Sequence, residues 1–219
     1  MTNYVFNGDK TRVLKIGKLI CLARTHKKHA EEMKSKVPED PLLFLKPVSS
    51  VIFDGDSIIF PKISKCLHHE VELGVVIGKK CKNVSSKNAL DYVLGYCVTL
   101  DITARDIQSI AKKNGRPWGI AKGFDTFAPI SDIILKEKAT NPNNLDILLE
   151  VNGEVRQISN TKNMVFTVEQ IIEFISNVMT LEPGDLIMTG TPEGVAEIKK
   201  GDVLEAWLSN LCSLKVTVI

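Results

Sequence analysis

The sequence predicts an α+β fold in which strands dominate. Three observations predict it: short β-branched runs recur along the chain, helical periodicity is confined to a few segments, and regular βαβ alternation is missing. The strand-like runs fall at residues 13–23, 51–60, 70–77, 92–101, 147–151, 186–189, 203–207 and 214–219. Turn residues bound them, among them Asp54-Gly55-Asp56, Pro183-Gly184-Asp185 and Lys200-Gly201-Asp202. Asn152-Gly153 predicts a hairpin between 147–151 and 154–158, because both residues accept a positive φ. Helical spacing is clearest at 168–180, where Ile171, Ile172, Ile175, Val178 and Met179 recur at intervals of three and four. A short polar helix is expected at 29–36 and another at 104–113. With no internal repeat or linker, the 219 residues are expected to form one domain with a large mixed sheet.

The bulk numbers exclude several classes of partner. Net charge is +2, from 28 basic and 26 acidic residues, which points to neither nucleic acid nor a membrane surface. No apolar run reaches the length of a membrane span, and MTNYVFNGDK carries no signal-peptide core. The five scattered cysteines form no CxxC pair, so reduced thiols in a cytoplasmic protein are expected.

Chemistry concentrates first in LHHEVELG, residues 67–74. In a strand Glu70 and Glu72 project to one face, beside the apolar run Val75-Val76-Ile77. Like charges so close repel, and a hard divalent cation with oxygen ligands resolves the conflict. Asp101 ends a second apolar run and supplies a third carboxylate. His68 shares the glutamate face, but an imidazole favours a softer metal, so it is left out of the ligand set. Alone, an E-x-E pattern more often marks a strand's wet face than a metal site.

A second pair is His29 and Glu32, three residues apart and so on one helical face. A carboxylate that orients an imidazole makes a general base near neutral pH, whereas the same spacing also suits a solvated helix surface. Pro38 and Pro41 bound the segment, as expected of a short lid.

Read in order, RTHKKHAEE (24–32), LLFLKP (42–47), LHHEVELGVVIGK (67–79), LGYCVTLDITARDIQ (94–108), RPWGIAKGFDTFAP (116–129) and GDLIMTGTPEGV (184–195) resemble the fumarylacetoacetate hydrolase family. The resemblance runs from about residue 16 and is nearest to the short, single-domain branch with acylpyruvate hydrolases and oxaloacetate decarboxylases. It implies a mixed β-sheet roll, a homodimer, and Mg²⁺ or Mn²⁺ on Glu70, Glu72 and Asp101. It further implies Lys122 near metal-bound substrate oxygens, Gln108 in polar contact with substrate or water, and Lys46 approaching the substrate's negative charge. Thr191 would bind a substrate carboxylate through its hydroxyl or backbone N–H, and Arg24 joins the substrate-binding group. Two departures stand out: His26 replaces a tyrosine, and the last turn, Leu208-Ser209-Asn210-Leu211, lacks the glycine often found there, but Asn tolerates the left-handed conformation, so the turn is expected to survive.

The implied activity is cleavage of a C–C bond in small 2-oxo or 2,4-dioxo acids through a metal-stabilised enolate, by hydrolysis or decarboxylation. The same machinery supports isomerisation of hydroxymuconate-type dienoates or dehydration of sugar acids, and a fold-retaining binding protein is the non-enzymatic alternative.

Overall fold

The β-branched run after Glu72 becomes the centre of the main sheet in the computed structural model, which describes residues 2–9, 11–32 and 35–219. That sheet has eight strands: β1 (Leu19–Ala23), β2 (Leu42–Lys46), β3 (Val51–Phe53), β6 (Val71–Ile77), β7 (Val93–Leu100), β9 (Ala128–Ile130), β10 (Ile134–Leu135) and β13 (Leu186–Met188). The order is β2-β1-β13-β6-β7-β9-β3, with β10 also on β7. Pairs β1–β13 and β3–β9 are parallel and the others antiparallel, so the sheet is mixed as expected.

A second sheet runs β12 (Glu154–Asn160), β11 (Asp146–Val151), β15 (Val203–Leu208), β16 (Cys212–Val218) and β4 (Ser57–Ile58). A small third sheet places β5 (Leu67–His68) between β14 (Glu197–Ile198) and β8 (Thr103–Ala104). Four α-helices are found among the described residues: α1 (Lys27–Glu32), α2 (Arg105–Lys113), α3 (Gly119–Lys122) and α4 (Val168–Val178).

The main sheet is covered on both faces. One face joins the second sheet and α4 in a core that includes Leu73, Val75, Leu149, Leu204, Leu214 and Ile171. The other packs Val76, Cys97 and Met188 against Tyr4, Phe6 and Ile16 of the N-terminal segment. Every residue of β6 is buried for this reason, and apart from Glu72 and Gly74 the strand is apolar on both faces. Burying one such side chain contributes roughly 1.5–3 kcal/mol, so the double cover makes β6 a rigid base.

Local chemistry explains the element ends. Thr167 caps α4: its hydroxyl accepts from the Gln170 N–H while the Gln170 side chain accepts from the Thr167 N–H. Asn152 and Gly153 take φ of 54° and 79° in the β11–β12 hairpin. The last turn is kept as expected, with Ser209 taking the positive φ, at 49°. Two bonds to Asp146 fix it there, the Ser209 N–H donating to the Asp146 carbonyl and the Ser209 hydroxyl accepting from the Asp146 N–H. Helix α1 covers 27–32 instead of starting at 29, and of the expected 29–36 span residues 33 and 34 lie outside the described residues. No helix among the described residues is long and apolar enough to cross a membrane. All five cysteines are free thiols.

Candidate active site

Glu70 lies in the two-residue gap between β5 and β6, and Glu72 lies within β6. The β6–β7 register pairs Val71 with Leu100, and one step further the Asp101 N–H donates to the Glu70 carbonyl at 2.8 Å. That main-chain step, beyond the strand ends, sets Asp101 beside Glu70. Strand alternation within 70–77 was the expected cause of convergence, but the strand begins at Val71. One carboxylate oxygen from each of Glu70, Glu72 and Asp101 lies within 4.8 Å of the others, and all three residues are buried.

The three carboxylates sit in different fields. Burial, then the charges of Asp101 and Glu70, push Glu72 well above the usual carboxylate range, and the Gly190 N–H at 2.8 Å only partly opposes this. Burial also pushes Glu70 upward, but Lys122 and Arg105 outweigh it and hold Glu70 far below that range. Lys122 comes from α3, a single helical turn against β2 and β8. Its ammonium donates to Glu70 Oε2 at 2.9 Å, to Thr103 Oγ1 at 2.6 Å and to Asp101 Oδ2. Burial lowers the Lys122 pKa, yet Asp101 and Glu70 reverse the shift and keep it charged. Arg105 closes the other side of Glu70 through Nη2 and holds Gln108 Oε1 at 2.7 Å through Nη1.

The triad lines a cavity of about 240 Å³ together with Arg24, His29, Gln108, Lys122 and Thr191. His29 enters from α1, its Nδ1 3.2 Å from Glu32 Oε2. Glu32 in turn accepts from the Gly194 N–H at 3.2 Å, which ties α1 to the 190–194 loop. The Thr191 hydroxyl donates to the Val71 carbonyl and accepts from Gln157 Nε2, both at 2.8 Å, so it is committed to the scaffold.

Lys46, expected to approach the substrate's negative charge, is buried and lies outside the cavity lining. Its ammonium donates to the carbonyls of Lys122 (2.5 Å), Phe127 (2.9 Å) and Ile102 (3.1 Å). His26 is buried too: it pairs with Met164 in a β-bridge, and burial, then His29, lower its pKa to about 4. His68 pairs with Glu197 and Thr103 in the small sheet and is not a member of the carboxylate cluster.

Sequence reasoning passed over Arg105, Lys112, Phe44 and Trp118, which also line the cavity. The signal for two of them was present: Arg105, Gln108 and Lys112 follow each other at helical intervals of three and four. Gly190 has a role of its own: at φ 93° its N–H reaches Glu72, and a Cβ there would overlap the Thr25 hydroxyl, which itself donates to the Thr189 carbonyl at 2.6 Å.

The donor set fits a hard divalent cation. It is all carboxylate oxygen, buried and close enough to share one ion. Asp101 Oδ1 accepts no hydrogen bond, because the Lys46 ammonium 2.8 Å away has spent its protons on carbonyls. Such an oxygen has a free lone pair for a metal.

A curled mixed-sheet scaffold that gathers buried acids, a charged lysine and an imidazole around one cavity is that of an enzyme. The family described as Fumarylacetoacetate (FAA) hydrolase C-terminal matches residues 18–219, and the chain belongs to that family. It is similar to the mitochondrial oxaloacetate tautomerase FAHD1 of Bos taurus, 44% identical over 200 residues, with 91% of this chain and 90% of that protein covered. Mitochondrial oxaloacetate decarboxylase of Dictyostelium discoideum is 46% identical over 195 residues, covering 89% of each chain. The crystal structure of fumarylpyruvate hydrolase from Pseudomonas aeruginosa in complex with Mn²⁺ and pyruvate superposes with a TM-score of 0.95 at 32% identity, covering 100% of this chain and 95% of that one.

Proposed function

We propose that this enzyme acts on small 2-oxo acids, with oxaloacetate foremost, and breaks the C–C bond beyond the 2-oxo group by decarboxylation or, for 2,4-dioxo acids, by hydrolysis. The observation that carries the reading is the Lys122 ammonium sharing the oxygens of the acidic triad inside a cavity that His29 also lines. Glu70, Glu72 and Asp101 would hold a divalent cation, Mg²⁺ or Mn²⁺, which supplies Lewis-acid stabilisation of negative charge developing on the 2-oxo oxygen.

The chain's own groups do the rest. Lys122 Nζ presents positive charge where an oxyanion develops. Arg105 holds Glu70 in place and orients Gln108 toward the cavity. With the Thr191 hydroxyl occupied, its backbone N–H is the group left for a substrate carboxylate. Glu32 fixes the His29 ring through Nδ1, so Nε2 is the nitrogen that takes a proton from an attacking water. Decarboxylation needs no such water, and His29 is then a bystander. A second reading is keto–enol tautomerisation, favoured by the name of the Bos taurus relative, with His29 Nε2 moving a proton at the carbon next to the 2-oxo group. A single catalytic domain across residues 1–219, working as a homodimer, belongs to the same proposal.

The test is to supply oxaloacetate and acetylpyruvate with Mg²⁺ or Mn²⁺ and follow pyruvate release and the enol absorbance. Conversion that Glu70→Ala abolishes is the expected result. Conversion of neither compound, or conversion indifferent to Glu70→Ala, would reject the proposal.

A further inference from the structure

The rim of the cavity carries more positive charge than the site itself uses. Four cations, Arg24, Arg105, Lys112 and Lys122, line the space with three carboxylates, and a divalent ion on the triad would widen that excess. Arg105 and Lys122 are matched by Glu70 and Asp101. Arg24 and Lys112 have no carboxylate within ion-pair distance among the described residues. Two unmatched cations in one pocket repel each other, and an anion entering with the substrate relieves that repulsion.

Their placement is ordered. Arg105, Gln108 and Lys112 line the cavity from successive turns of α2, so Lys112 lies about 10 Å along the helix from the arginine that grips Glu70. The outer end of the cavity is thus marked by a lysine and its inner end by the triad. Lys112 is solvent-exposed at this outer end, and its ammonium stands 5.3 Å from the centre of the Trp118 ring. Trp118 is braced edge-on by Phe44 at 5.9 Å. Partial burial, then the charges of Arg105 and Arg24, lower the Lys112 pKa, and a carboxylate bound beside it would oppose that lowering. Arg24 is held at φ 60°, in the left-handed region that non-glycine residues seldom adopt.

We propose that Lys112, with Arg24, forms a second anion subsite for the far carboxylate of a 2-oxo dicarboxylic acid, and that Lys112 separates dicarboxylates from monocarboxylates. The inference rests on the 2-oxo acid reading above and narrows its substrate class. A lysine suits this position because its compact ammonium on a flexible stem follows carboxylates at different distances.

The experiment is a calorimetric titration of the Mg²⁺-loaded protein with two stable acids of equal length, 2-oxoglutarate and 2-oxopentanoate, which differ in the terminal carboxylate. The wild type is expected to bind 2-oxoglutarate at least tenfold more tightly. In Lys112→Met the ratio should fall to within about threefold, chiefly by loss of 2-oxoglutarate affinity, and Lys112→Arg should recover most of it. Equal affinities in the wild type would overturn the proposal, even if oxaloacetate is turned over and the broader reading stands. Parallel loss of both ligands in Lys112→Met, unrecovered by Lys112→Arg, would assign Lys112 a structural role and overturn it as well. If neither acid binds and no 2-oxo acid is converted, both readings fall together.

Discussion

The Lys46 ammonium lies 2.8 Å from Asp101 Oδ1, yet its hydrogen bonds go to the carbonyls of Lys122, Phe127 and Ile102. A buried cation thus neutralises a carboxylate by proximity while leaving its oxygen open. Replacing Lys46 by Met leaves three buried carbonyls unpaired and Asp101 with Lys122 as its remaining counter-charge, so unfolding free energy should fall by about 3–5 kcal/mol. Lys46→Arg should recover little, because a planar guanidinium does not match three carbonyls gathered around one point. Urea denaturation in the presence of EDTA measures both, and a change below 1 kcal/mol (about one ordinary hydrogen bond) would contradict this account.

Glu72 makes an opposite prediction. Burial and two like charges disfavour its ionised form, so Glu72→Gln should leave the metal-free protein equally stable or more stable. A divalent ion at a hundred times its Kd should add about 2.7 kcal/mol to the wild type and far less to the variant. Thermal melts with and without Mn²⁺ supply the comparison, and an undiminished Mn²⁺ effect in Glu72→Gln would remove this residue from the ligand set.

His29 offers a way to split the reactions. If Nε2 activates water, His29→Ala should lower hydrolysis of acetylpyruvate by roughly 10²–10⁴-fold while oxaloacetate decarboxylation falls much less. Steady-state kcat for the two substrates decides it. Equal losses would point to a positioning role for His29, with no part in activating water.

His26 predicts acid sensitivity. Burial, then His29, lower its pKa from 6.5 to about 4. Between those values the unfolded chain binds the extra proton, so this stability is complete above pH 6.5 and is lost as pH falls toward 4. At most about 3 kcal/mol is involved. His68 is lowered similarly, by burial and then Arg105, so His26→Asn should shrink, without abolishing, the drop in unfolding free energy between pH 7 and pH 5. An unchanged drop would mean that His26 is not held neutral in the fold.

Much of this architecture could be read from residue order. Strand β6, the Asn152-Gly153 hairpin and helix α4 follow from patterns that act within a dozen residues. The positions of Glu70, Glu72 and Asp101 were legible because carboxylates beside long apolar runs are costly without a counter-charge. Less local features were not. Helix α3 spans four residues, too few to show a period, although it carries Lys122. The fate of Lys46 depends on three carbonyls from distant segments, and no spacing rule reports where a carbonyl will point. That Ser209 takes the positive φ in the final turn depends on its bonds to Asp146, more than sixty residues away.

Gly190 couples two sides of the site. Its N–H steadies Glu72, while its bare α-carbon leaves room for Thr25, which stands just ahead of the helix that presents His29. Any drift of this loop would shift the cation's seat and the proton carrier in concert. Mutational exploration of new chemistry therefore has little room here. The outer turn of helix α2, which carries Lys112 beyond Arg105 and Gln108, is where substrate choice can diversify with less disturbance of the catalytic arrangement.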